Sequence, residues 1–147
     1  MIDMDAIMAR FAAEQAQRAA LLPKNKQALF AALRSDGVTE VTVDFDGSGD
    51  SGQIENLAFR SGDASVAEPP GEVLLEIASN RGEALARSFD IRAAIEHLVY
   101  EFLEDDHGGW ELNEGSYGTF TFDVAEGTIT LDYNERVEAT NYSQHTY

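Results

Sequence analysis

Two stretches concentrate side chains able to do chemistry. In DFDGSGDSGQIE, residues 44–55, Asp44, Asp46 and Ser48 take the first, third and fifth positions of a calcium loop, Gly49 the sixth and Glu55 the twelfth, with Asp50 as a further carboxylate. Hard oxygen donors at that spacing are what calcium requires. The rest of the motif is missing: the eighth position, apolar in loops that pair, is Ser51, and the flanks alternate like strands where helices are needed. The second stretch, EDDHGGWELNEG, gathers Glu104, Asp105, Asp106, His107, Trp110, Glu111 and Glu114. If His107 joined the first loop, the metal-ligating set would be Asp44, Asp46, Ser48, Asp50, Glu55 and His107, with calcium or another divalent metal as the cofactor. Such a set could also perform metal-dependent or general acid–base catalysis. The plain alternative is an acidic hairpin tip on one side and, on the other, a helix capped by His107, ended by Gly108 and followed by Trp110 folded onto the core. No other catalytic motif is present. GSGDSG lacks the lysine of a phosphate loop, and Ser48, Ser51 and Ser116 lack a hydrolase elbow.

Charge narrows the class further. The chain has 27 acids against 10 bases, a net of −17, far beyond what solubility asks of 147 residues. Residues 1–35 hold five bases and three acids, net +2, whereas residues 36–147 hold five bases and 24 acids, net −19. From Ala93 onward Arg136 is the only base, facing 12 acids. This field repels phosphate backbones and attracts basic surfaces, so direct nucleic-acid binding is excluded and a basic protein surface is the expected partner. That partner could itself be a nucleic-acid-binding protein, its groove filled by a DNA mimic. The partner-binding residues expected on this reading are Asp44, Asp46, Asp50, Asp105, Asp106, Trp110 and Glu114.

With no cysteine the chain carries no disulfide framework and no thiolate chemistry. The opening MIDMDAIMAR is acidic where a signal peptide is basic, and no apolar run reaches membrane-spanning length. The expected address is the cytoplasm, with no membrane partner, while a homo-oligomer remains compatible with the sequence.

These side chains need a scaffold, and the hydrophobic periodicity outlines one α+β domain over residues 1–147, with a helical part at 1–35 and an acidic β-rich body at 36–147. Met4, Ile7, Met8 and Phe11 follow helical spacing; Pro23 suits the first turn of a second helix that buries Leu29, Phe30 and Leu33 and stops at Asp36-Gly37. Val41, Val43 and Phe45 form one face of a strand, Leu57 and Phe59 mark its hairpin partner, residues 61–71 read as a loop, and Val73, Leu75 and Ile77 as a third strand. Ser88 or Asp90 caps a helix whose Ile91, Ile95, Leu98 and Phe102 share a face and which ends near Asp106. Phe120, Phe122 and Val124, then Ile129, Leu131 and Tyr133, form a hairpin about the turn AEG, and a last strand is expected over residues 137–142. The order ααβββαβββ places helices on one face of a mostly antiparallel sheet.

The combination of FDGSGDSGQIE with GGWELNEGSYGTFTFDVAEGTITLDYNERV resembles a domain-of-unknown-function family of small acidic bacterial proteins, often met on plasmids and prophages. The likeness covers residues 38–142 and puts Asp44, Asp46, Gly47, Asp50, Ser51, Gly52, Trp110, Glu114, Gly118 and Asn134 at its motif positions. It implies no chemistry. A mobile-element setting would favour an inhibitor that acts on host machinery by binding it.

Overall fold

A computed structural model describes residues 3–48, 51–78, 83–107, 115–136 and 141–147, without the side chains of Ser48, Ser51, Asp106 and Asn141. Helix α1 runs over Met4–Ser35, capped by Asp3, whose carboxylate accepts from the N–H groups of Asp5 and Ala6. The expectation of two helices meeting at Pro23 is corrected here: Pro23 lies inside one continuous helix. A proline there removes a backbone hydrogen bond and costs about 3 kcal/mol. The helix survives because tertiary contacts hold both sides of it. Leu29, Phe30 and Leu33 are buried on the C-terminal side, and on the other Leu22 packs against the core, with Arg18 paired to Asp105 at 2.6 Å one turn earlier. The end is as expected, with Asp36 as C-cap and Gly37 in the left-handed region at φ 77°.

Strands β1 (Glu40–Ser48), β2 (Ser51–Ser61) and β3 (Ala64–Val66) follow, then β4 (Glu72–Ile77) and β5 (Leu85–Asp90), helix α2 (Ile91–Asp106), and β6 (Ser116–Asp123), β7 (Thr128–Glu135) and β8 (Asn141–Thr146). The α+β class stands. Two short strands carry no clear sequence signal: β3 lies within the stretch expected to be a loop, and β5 pairs with β4. The last strand, expected over 137–142, is described from Asn141 and runs on to Thr146; residues 137–140 lie outside the described residues.

Six strands form one antiparallel sheet in the order β3-β2-β1-β6-β7-β8, while β4 and β5 form a separate hairpin. The inner face of the large sheet carries Val41, Val43 and Phe45, then Phe120 and Phe122, then Ile129, Leu131 and Tyr133, all buried. Against it lie α2, through Ile91, Ile95, Leu98 and Phe102, and the second half of α1. Ring contacts join the layers: Phe30 meets Phe122 at 6.2 Å between centroids and Phe102 meets Phe120 at 5.9 Å. The β4–β5 hairpin is tied to α1 by the buried Asn25, whose amide donates to the Glu76 carbonyl and accepts from the Glu76 N–H. Asn25 thus stands in for a neighbouring strand and leaves no buried polar group unmatched at that position. Asp90 is the N-cap of α2, accepting from the Ala93 N–H, and His107 is its C-cap.

Candidate functional site

Alternation that sends apolar residues inward sends a second set outward. No helix covers the outer face of the large sheet among the described residues, and its side chains are half-exposed or exposed. The cross-strand register arranges them in rows. One row reads Gln53, Asp46, Tyr117, Asn134, Tyr142, and the next Asn56, Asp44, Thr119, Asp132, Gln144. A third holds Thr42, Thr121, Thr130 and Thr146, and a fourth Arg60, Glu40, Asp123 and Thr128. Threonine suits such a surface, since its branched side chain packs on the pleat and its hydroxyl bonds across strands.

The acids on this face are held in place by their neighbours. Thr119 Oγ1 donates to Asp44 Oδ1 at 2.6 Å. Asp132 accepts a short hydrogen bond from the Tyr142 hydroxyl and another from Gln144 Nε2 at 2.7 Å. The hydrogen bond to Asp132 pushes the Tyr142 phenol above its ordinary pKa of 10.0, helped by desolvation and by the Asp132 charge and opposed by Gln144. At the end of the sheet Arg136 donates to Asp46 Oδ2 at 2.8 Å and to the Gly47 carbonyl at 2.9 Å, with its guanidinium 4.8 Å from the centre of the Tyr117 ring. Both partners of this ion pair are about a third or more exposed, so it fixes geometry more than it stabilises. Its effect on the field is direct: one of the two described bases of the face is neutralised by Asp46.

The described members of the expected metal set divide between the two sides of the sheet. Asp44 and Asp46 lie on the outer face. Glu55, exposed, occupies a bulge in β2 and accepts from Gln53 Nε2 at 3.0 Å. His107 stands on the other side of the sheet, its ring stacked on the inward-facing Tyr133 at 3.8 Å and edge-on to His145 at 4.9 Å. The sheet therefore lies between His107 and Asp44. Asp105 pairs with Arg18, away from the outer face. Asp50, Trp110 and Glu114 lie outside the described residues, as do the side chains of Ser48 and Asp106. Among the described residues no group of three or more His, Asp or Glu gathers as a metal site. Also among them, no helix is long and apolar enough to cross a membrane.

Sequence reasoning misses Asp132, Thr119, Tyr142 and Gln144 as companions of Asp44. The alternation of Thr119, Thr121 and Asp123 with phenylalanines is visible in the chain; carried across paired strands, it gives the rows. Sequence also leaves Gly118 as a bare motif position. The structure supplies the reason: a β-carbon there would lie 2.1 Å from the Asp132 carbonyl oxygen and 3.0 Å from the Phe45 ring. Only glycine lets β6 and β7 close beneath Phe45.

No curated protein and no solved structure matches the chain. A family profile does, over residues 21–147, so it extends beyond the stretch of likeness read from the motifs and takes in the half of α1 that carries Leu29, Phe30 and Leu33. The chain, with that half of α1 built into its core, belongs to DUF6878, a family of unknown function.

Proposed function

We propose that the protein is a non-enzymatic binding protein of the cytoplasm that engages a basic protein through the open outer face of its six-stranded sheet. The observation that carries this reading is the placement of Glu40, Asp44, Asp46, Asp123 and Asp132 on one face that no described helix covers and whose described bases are Arg60 and Arg136. Asp44 and Asp46 stand two residues apart along β1, roughly 6.7 Å, and Asp44 and Asp132 stand two strands apart across the sheet, on the order of 10 Å. That lattice suits a surface bearing several lysines or arginines. A nucleic-acid-binding groove is such a surface, and an acidic face of this kind would occupy it as a DNA mimic does. The supporting physical argument is cost: a net of −19 on residues 36–147 is self-repulsion that a fold does not need.

The test compares two variants of equal charge. Asp44→Asn with Asp132→Asn removes two charges from the face; Asp63→Asn with Glu83→Gln removes two exposed charges elsewhere. Basic proteins captured from the source cell at low salt and released at high salt should associate about tenfold more slowly with the first variant and nearly normally with the second. Equal losses would reduce the effect to net charge and end the reading, as would turnover of a substrate by the purified protein.

A further inference from the structure

The first half of α1 has a different character from the body. Met4, Ile7, Met8 and Phe11 are 63, 38, 62 and 62% exposed and lie at i, i+3, i+4 and i+7, one apolar stripe over two turns. Every described residue from Asp3 to Ala13 is exposed. This stretch also lies outside the matched family profile, which begins at residue 21. The stripe continues the face that packs on the body farther along, where Phe11, Gln15 and Arg18 line a groove of about 610 Å³ against Tyr100, Glu101 and Asp105 of α2.

We infer that this stripe is a self-association surface, covered by the same stripe of a second copy running antiparallel. The spacing of the residues supplies the argument. A two-fold axis between Ile7 and Met8 sets Met4 of one copy against Phe11 of the other and Ile7 against Met8, so each large apolar side chain meets another. Asp3 and Arg10 lie seven residues apart, hence on the same flank of the stripe. In an antiparallel pair like flanks face each other, and Arg10 of each copy comes within reach of Asp3 of the other, twice by symmetry. Asp5 lies on the opposite flank and takes no part. A parallel pair would instead set like residues at the same level and bring the two acidic bodies to the same end. The antiparallel arrangement keeps the bodies, each carrying −19, at opposite ends of the helix pair. Three turns of helix bury less than the roughly 1,200 Å² of a standard interface, so the dimer is weak, with dissociation in the micromolar range or above.

The inference is independent of the proposed partner face and responds to salt in the opposite sense. Screening relieves repulsion between two chains of −17 each, so self-association strengthens as salt rises, whereas basic-partner binding weakens. Sedimentation of the full chain from about 10 to 500 micromolar, a range set by the expected affinity, should give a monomer–dimer equilibrium that tightens with salt. Phe11→Ser should weaken it about tenfold or more, while Leu74→Ser, at an equally exposed apolar residue on β4, should leave it unchanged. Arg10→Asp should weaken it too, and adding Asp3→Asn, which removes the new repulsion but keeps an N-cap, should restore part of the loss. A monomer at every concentration and salt overturns the inference. So does a dimer indifferent to Phe11→Ser, or a monomer whose stripe instead partitions onto phosphatidylglycerol vesicles.

Discussion

The two faces of the six-stranded sheet are built from the same strands and differ at every other residue. Inward, Val41, Val43, Phe120, Phe122, Ile129 and Leu131 are wholly buried under two helices. Outward, Thr42, Asp44, Thr119, Thr121, Thr130 and Asp132 remain half-exposed, and Thr119 bonds to Asp44 across strands. The inner face excludes water and holds the fold together. The outer face, which contributes little to that, is free to carry charge. Because the period is two, a slip of one residue would exchange the faces, so the apolar pattern that stabilises the fold also places the acids.

Substitutions on the two faces should therefore separate stability from recognition. Phe122→Ala empties the centre of the inner face beneath Phe30 and should cost about 3–5 kcal/mol in denaturant unfolding. A loss near zero would mean that the sheet is not what holds the core. Gly118→Ala tests the same face by overfilling it, since the added carbon meets the Asp132 carbonyl at 2.1 Å. It should cost roughly 1–3 kcal/mol, and the amides of β6 and β7 should show the displacement in NMR spectra.

Outer-face changes should be smaller in stability. Arg136→Ala removes the clamp on Asp46 and the Gly47 carbonyl and should cost at most about 1 kcal/mol, with faster amide exchange confined to the ends of β1 and β6. A global loss of protection would show that the ion pair supports the whole sheet. The smallest effect concerns Tyr142. Its phenol is held protonated by Asp132, so the folded pKa lies above 10.0; the associated stability is complete below that value and is lost as pH rises through the folded pKa. Following phenolate absorbance in the intact protein, Asp132→Asn should lower the Tyr142 midpoint toward its ordinary value of 10.0 while leaving denaturant stability nearly unchanged. A midpoint that stays raised would mean that Asp132 is not its cause.

Several features are legible in the sequence by itself. Alternation in residues 41–45, 120–124 and 129–133 announces strands, and the apolar members of that pattern are the ones buried in the fold. The stripe Ile91, Ile95, Leu98 and Phe102 announces α2, with Asp90 available as its cap. These signals are local: side-chain direction repeats every two residues in a strand and every 3.6 in a helix, whatever lies nearby. The excess of acid is equally plain, since it is composition.

Other features depend on which segments meet. Pro23 marks a boundary by local preference, yet α1 runs through it because residues on both sides are held by distant partners. Ile54 and Leu57 are three apart and cannot share a strand face in regular pairing; a bulge that sets Glu55 aside turns both inward. Sequence groups Asp44 with Asp46 and Glu55 in one loop, but its cross-strand partner on β6 is Thr119, 75 residues away along the chain, and the next acid in its row is Asp132 on β7, 88 residues away. Sequence likewise offers His107 as a companion of Asp44, and the sheet puts the two on opposite sides. Spacing along the chain determines which residues point the same way within one element. Only the pairing of β1 with β6 and of β6 with β7 decides which acids stand side by side: the apolar pattern fixes the face each residue takes, but which strands pair, and at what offset, depends on contacts between segments far apart in the chain.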